Sequence, residues 1–158
     1  MFCQRIVALT ILAAPIFCRA QGVISTIAGT GAGGFSGKGG PVIAAAINAP
    51  SGVAVDASGN VYVADQLNSV VRVVNAAGII NVAAGCNPIT TACILAHVGS
   101  GGQATGVNIS VLDVSTDKAG NFYIAAGGNN RILKVNSAGV IGSAAGSGQS
   151  AFPCRSIF

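Results

Sequence analysis

The sequence predicts an all-β chain made of two copies of one four-stranded antiparallel unit, preceded by a lone strand. Three observations predict it. Glycine occurs 23 times in 158 residues among short runs rich in Val and Ile, a composition suited to buried strands joined by tight turns. The stretch DASGNVYVAD (Asp56–Asp65) returns as DKAGNFYIAA (Asp117–Ala126). Across Asp56–Gly85 and Asp117–Gly146, 14 of 30 positions are identical without a gap, a repeat whose period points to stacked or radial units.

The first 20 residues read as an export signal. Arg5 starts a largely apolar run from Ile6 to Phe17, and Cys18 and Ala20 suit cleavage before Gln21. A short membrane anchor is the alternative, although the run is short for a bilayer. Next comes QGVISTIAG (Gln21–Gly29), which matches AGIINVAAG (Ala77–Gly85) and AGVIGSAAG (Ala138–Gly146), so residues 23–28 read as an isolated fourth strand.

The first unit, 52–84, reads as GVAVD, VYVAD, VVRVV and IINVAA. Asp56 is placed to accept turn amides, Gly59 supplies the positive φ of the turn, and Asn60 closes it. The second unit, 112–145, reads as LDVSTD, NFYIAA, RILKV and VIGSAA, with Asp117, Gly120 and Asn121 in the same turn roles. Both faces of the second strand are apolar: Val61 and Val63 against Tyr62 and Ala64, then Phe122 and Ile124 against Tyr123 and Ala125. A sheet with one wet face alternates apolar and polar residues. Strands of this kind belong to sheets packed on both sides, as the blades of a β-propeller are.

The residues STIAGTGAGGFSGKGGP and AINAPSGVAVDASGNVYVADQLNSVVRVV resemble the NHL-repeat family of β-propellers, and the similarity runs over nearly all of 21–146. The resemblance implies a six-bladed, TolB-like ring, of which 21–158 is an incomplete copy ending in a linker remnant, 147–158. The family pattern is A-D-x-G-N-N-R-[IV]-x-x-V. The first unit keeps Asp65 and Asn68. The second keeps Asn129 and Arg131 but has Ala126 where the acid belongs. Asp65 is expected to act as scaffold, tying turns and blades together with Asn68 or the family arginine at Arg131. A ligand contact at the channel mouth is the other reading. A ring of six at about 60 residues per blade exceeds this chain, which leaves a truncated product, a piece of a longer protein, or self-association that completes the ring.

GTGAGG (Gly29–Gly34) fits the dinucleotide spacing, but FSGKGGP follows where a helix is required. The phosphate-loop reading of GFSGKGG fails at Ala32 and Gly39, and Lys38 stands where family members commonly carry an acid. The sequence holds four Asp, no Glu and one His, His97, so no catalytic, cofactor-binding or metal-binding residue is expected, and no cofactor. Removing the signal leaves six scattered basic residues and a net charge of +2, which argues against nucleic acid. Export places Cys86, Cys93 and Cys154 where disulfides persist. A bridge between Cys86 and Cys93 is one reading; it would close a small loop worth about 2 kcal/mol, leaving Cys154 over as a free thiol or with its partner on another chain.

The expected function is an exported, secreted or periplasmic, protein- or ligand-binding scaffold module without catalysis. Its partner is an unidentified protein or glycan, and it has no membrane association after signal cleavage. The alternatives are a remnant of a lactonase- or lyase-like propeller enzyme and a truncated paralogue with no activity of its own.

Overall fold

The computed structural model describes residues 22–87 and 100–150. These form two antiparallel five-stranded sheets, with no α-helix among the described residues. The first sheet contains β1 (Gly40–Pro41), β2 (Pro50–Val55), β3 (Val61–Asp65), β4 (Val70–Val74) and β5 (Ile79–Gly85) in the order β1-β5-β4-β3-β2. The second contains β6 (Ser100–Gln103), β7 (Val111–Thr116), β8 (Phe122–Ala126), β9 (Arg131–Val135) and β10 (Val140–Ala145) in the order β6-β10-β9-β8-β7. Each sheet is a four-stranded meander extended by one short strand from the segment before it. Together they are consecutive blades of a partial β-propeller.

Two features differ from the sequence expectation. The blades have five strands, because Gly40–Pro41 and Ser100–Gln103 each pair with the fourth strand of the meander. The lone strand expected over 23–28 does not form, and Val23 and Ile24 are almost wholly exposed. A strand exists only through pairing. Among the described residues the third strands are already flanked on both sides, β4 by β3 and β5, β9 by β8 and β10. The fourth-strand sequence at 23–28 therefore has no third-strand edge to lie on. Among the described residues no helix is long and apolar enough to cross a membrane.

The main core lies between the blades. Ala64, Val71 and Ala84 of the first blade meet Val111, Val114, Phe122 and Ile124 of the second, with Ile109 buried between them. Tyr62 packs on Phe122, their ring centroids 4.9 Å apart. At the inner edge, Thr116 Oγ1 donates to the Val55 carbonyl (2.8 Å) and Ser51 Oγ donates to that of Leu112. A smaller core under the opposite face of the first blade joins Val74 and Ile80 to Val42 and Ala45 of the glycine-rich segment. This segment covers part of the first blade much as a neighbouring blade would.

Candidate functional site

The densest buried polar cluster lies beneath that segment. Asp65, Asn68, Arg72 and Asn87 are all buried, Asp65 and Arg72 completely. Asp65 ends β3 and leads into a single 3-10 turn, Gln66–Asn68, closed by Ser69 in the left-handed region (φ +56°). That turn brings Asn68 back over the carboxylate. Asp65 Oδ1 accepts from Asn68 Nδ2 (2.8 Å) and from the Asn48 amide (2.8 Å). Asn68 Nδ2 also donates to the Gly34 carbonyl (2.7 Å), and Asn87 Nδ2 donates to Asn68 Oδ1 (3.3 Å).

Arg72, central in β4, supplies the countercharge. Its Nη1 lies 3.6 Å from Asp65 Oδ2, an ion-pair distance rather than a hydrogen bond. Nη2 donates to the Ser36 carbonyl (2.9 Å), and the guanidinium lies 5.0 Å from the centre of the Phe35 ring. Burial pushes the Asp65 carboxyl above its usual range, opposed by Asn68, the Asn48 amide and Arg72. Burial likewise lowers Arg72, opposed by Asp65. The cluster pins three points of the glycine-rich segment, Gly34, Ser36 and Asn48, onto the blade. With both charged groups closed to solvent, the cluster ties the glycine-rich segment to the blade.

The second blade solves the same position differently. Ala126 replaces Asp65 and Leu133 replaces Arg72, and both are buried. The ion pair has become an apolar pair. The tie to the preceding segment passes to Asn129, whose Oδ1 accepts from the Ser110 amide (2.8 Å). Arg131 does not play the part of Arg72: its Nη2 donates to the Ser147 carbonyl (3.0 Å), in the segment after its own blade. The expectation that linked the family arginine position to Asp65 is corrected accordingly. The missed residue is Arg72, and its signal was a lone cation amid the valines of VVRVV, a strand buried on both faces.

The remaining acids sit in the hairpin turns or at the blade contact. Asp56 Oδ1 accepts the amides of Ser58 and Asn60 (2.9 Å each), and Oδ2 accepts from Asn60 Nδ2 (2.8 Å). Gly59, at φ +80°, makes that turn possible. Asp117 Oδ1 accepts the Ala119 and Asn121 amides (2.9 Å each), and its Oδ2 accepts from Asn121 Nδ2 (2.7 Å) and from the Tyr123 hydroxyl (3.2 Å), with Gly120 at φ +79°. Hydrogen bonds led by the asparagine side chain hold both carboxyls below the ordinary range. Burial, then the charge of Asp56, raises the Tyr62 phenol. Asp113 accepts from the Val114 amide (2.8 Å) and occupies the space that a side chain at Gly52 would take.

Asn75 and Asn136 were not singled out from the sequence, yet each caps the next turn by accepting two amides at 3.0 Å. Their identity in both units was the available signal. Cys86 is disulfide-bonded. Cys93, His97 and Cys154 lie outside the described residues, as does the signal segment. Among the described residues no three His, Cys, Asp or Glu side chains converge as a metal site would require.

No protein-family model and no curated protein sequence matches the chain. Among solved structures it is similar to a streptogramin B lyase, at 14% identity over 60% of this chain and 25% of that one, with a TM-score of 0.43. It is also similar to the virginiamycin B lyase of Staphylococcus aureus, at 17% identity over 60% and 26% of the two chains, with a TM-score of 0.41. The chain spans about a quarter of the length of each. A likeness this distant assigns no chemistry to its residues.

Proposed function

We propose that the chain is part of an exported NHL-repeat propeller that serves as a binding or scaffold module without catalysis, recognising a protein or glycan. One observation carries this reading. Asp56, Asp65 and Asp117 are all engaged in holding turns or in latching the glycine-rich segment. A lactonase- or lyase-like centre needs carboxylates or imidazoles free to converge on a metal or a reacting proton. Arg5 and the apolar run Ile6–Phe17 support export, and the small residues Cys18 and Ala20 suit cleavage before Gln21.

The test uses the full chain expressed with its own N-terminus. Protein recovered outside the cytoplasm should begin at Gln21. It should bind a member of a glycan or protein panel saturably and equally well with and without a chelator. Turnover of a lactone or of a β-eliminating substrate on addition of Mg²⁺, Ca²⁺ or Zn²⁺ would contradict the reading, and so would binding that the chelator abolishes.

A further inference from the structure

The contact between the two blades joins two kinds of face, and the repeat places a second example of each on the outside of the chain. In the internal contact, Tyr62, Ala64 and Val71 form the back of the first blade, with Ala64 and Val71 fully buried. Shifted by one repeat, these become Tyr123, Ala125 and Ile132, equally apolar, yet Ile132 is 41% exposed. The front of the second blade includes Val114 and Phe122, nearly buried at 5% and 6%. Their first-blade equivalents are Val53 and Val61, and Val53 is 63% exposed. Each open face also carries a shallow cavity. One of about 270 Å³ is lined by Pro50, Val53 and Val63, and one of about 380 Å³ by Ala125, Ile132 and Ala145.

We propose that copies of this chain dock head to tail, the back of one second blade (Tyr123, Ala125, Ile132) seating on the front of the next copy's first blade (Val53, Val55, Val61). By the repeat the Tyr123 ring, with Lys134 Nζ 5.6 Å from its centre, approaches the half-buried Val61 as Tyr62 approaches Phe122. Two substitutions between the repeats fit such a contact. The internal interface uses hydroxyls at Ser51 and Thr116 to reach across its inner edge. At the outward-facing equivalents stand Leu112 and Val55, both exposed and both apolar. The contact between copies therefore exchanges two hydrogen bonds for apolar area, and it brings in one charge, the Lys134 ammonium over the Tyr123 ring, where the first blade has Val73. Because the two faces differ, the contact is heterologous and builds rings or chains of copies rather than an isolated symmetric pair.

The test is sedimentation of the full chain over a concentration series, alongside Val53→Asp and Ile132→Asp. Both positions are exposed in the single chain, and a melting curve confirms that each variant is folded. The unsubstituted protein is expected to form a discrete oligomer and each variant to be monomeric. Mixed in equal amounts, the two variants should form a one-to-one dimer, because one retains an intact back and the other an intact front. An unsubstituted monomer overturns the proposal and is the result expected if a further blade of a longer chain takes the face instead. Variants that still associate alone, or a mixture that stays monomeric, overturn it as well.

Discussion

Asp65→Ala and Arg72→Leu, made singly and together, copy into the first blade the apolar pair that the second blade already carries. Asp65→Ala strands the buried Arg72 guanidinium beside Phe35 with the Ser36 carbonyl as its remaining partner. Breaking a buried pair from one side costs on the order of 3–5 kcal/mol. Arg72→Leu strands the buried carboxylate instead, at a cost of the same order. With both changes no charge remains buried. What is lost is the acceptor for the Asn48 amide and Asn68 Nδ2, about 1–3 kcal/mol. The double variant is therefore expected to be more stable than Asp65→Ala and to fall short of additivity by at least about 2 kcal/mol. In thermal unfolding at pH 7, followed by circular dichroism, Asp65→Ala should lower the Tm by roughly 10 °C, at about 2–4 °C per kcal/mol for a chain of this size. Additive effects within about 0.5 kcal/mol would refute the ion-pair account, and so would a single Asp65→Ala that leaves the midpoint unchanged.

Further outcomes follow from the turns and from one tight approach. The Asp117 carboxyl is held below its unfolded value, so the stability it contributes is complete above about pH 4 and disappears as pH falls through its folded value. The Tm difference between the unsubstituted protein and Asp117→Asn should accordingly hold from about pH 6 to about pH 4 and shrink as the pH falls further; a gap that stays constant below about pH 4 would show that the charge is not what holds the turn. Gly85→Ala should destabilise by at least about 2 kcal/mol in urea titration, since φ is +86° and a Cβ there would meet the backbone of Ser69 and Val70. Gly59→Asn, at φ +80° with open space around it, should cost less than about 1 kcal/mol by the same titration. Equal losses at the two glycines would mean that the approach of β5 to the Ser69 turn is not as described.

Much of the fold was legible because each unit is local. The eight meander strands fall within two residues of the spans read from the repeat, since Asp56–Asn60 and Asn75–Gly78 fix the hairpins from within. The features that were missed are non-local. Gly40–Pro41 has no strand signal of its own and becomes a strand only because Ile79 and Ile80 offer an edge. Residues 23–28 carry a strong strand sequence, but among the described residues both third strands are already flanked on each side. Ala126 was read as the loss of one acid, when the change involves two positions seven residues apart. Leu133 makes sense of Ala126 only once β8 and β9 are laid side by side and the Arg72–Asp65 pair is seen in the other blade.

Two repeat-related sheets packed face to face define the fold. Nuclear Overhauser contacts between the aromatic protons of Tyr62 and Phe122 test it most directly. Cross-peaks between the two rings are predicted from centroids 4.9 Å apart. A Tyr62 ring in contact with solvent and its own sheet alone, or a Phe122 ring that sees no residue of the first blade, would contradict it.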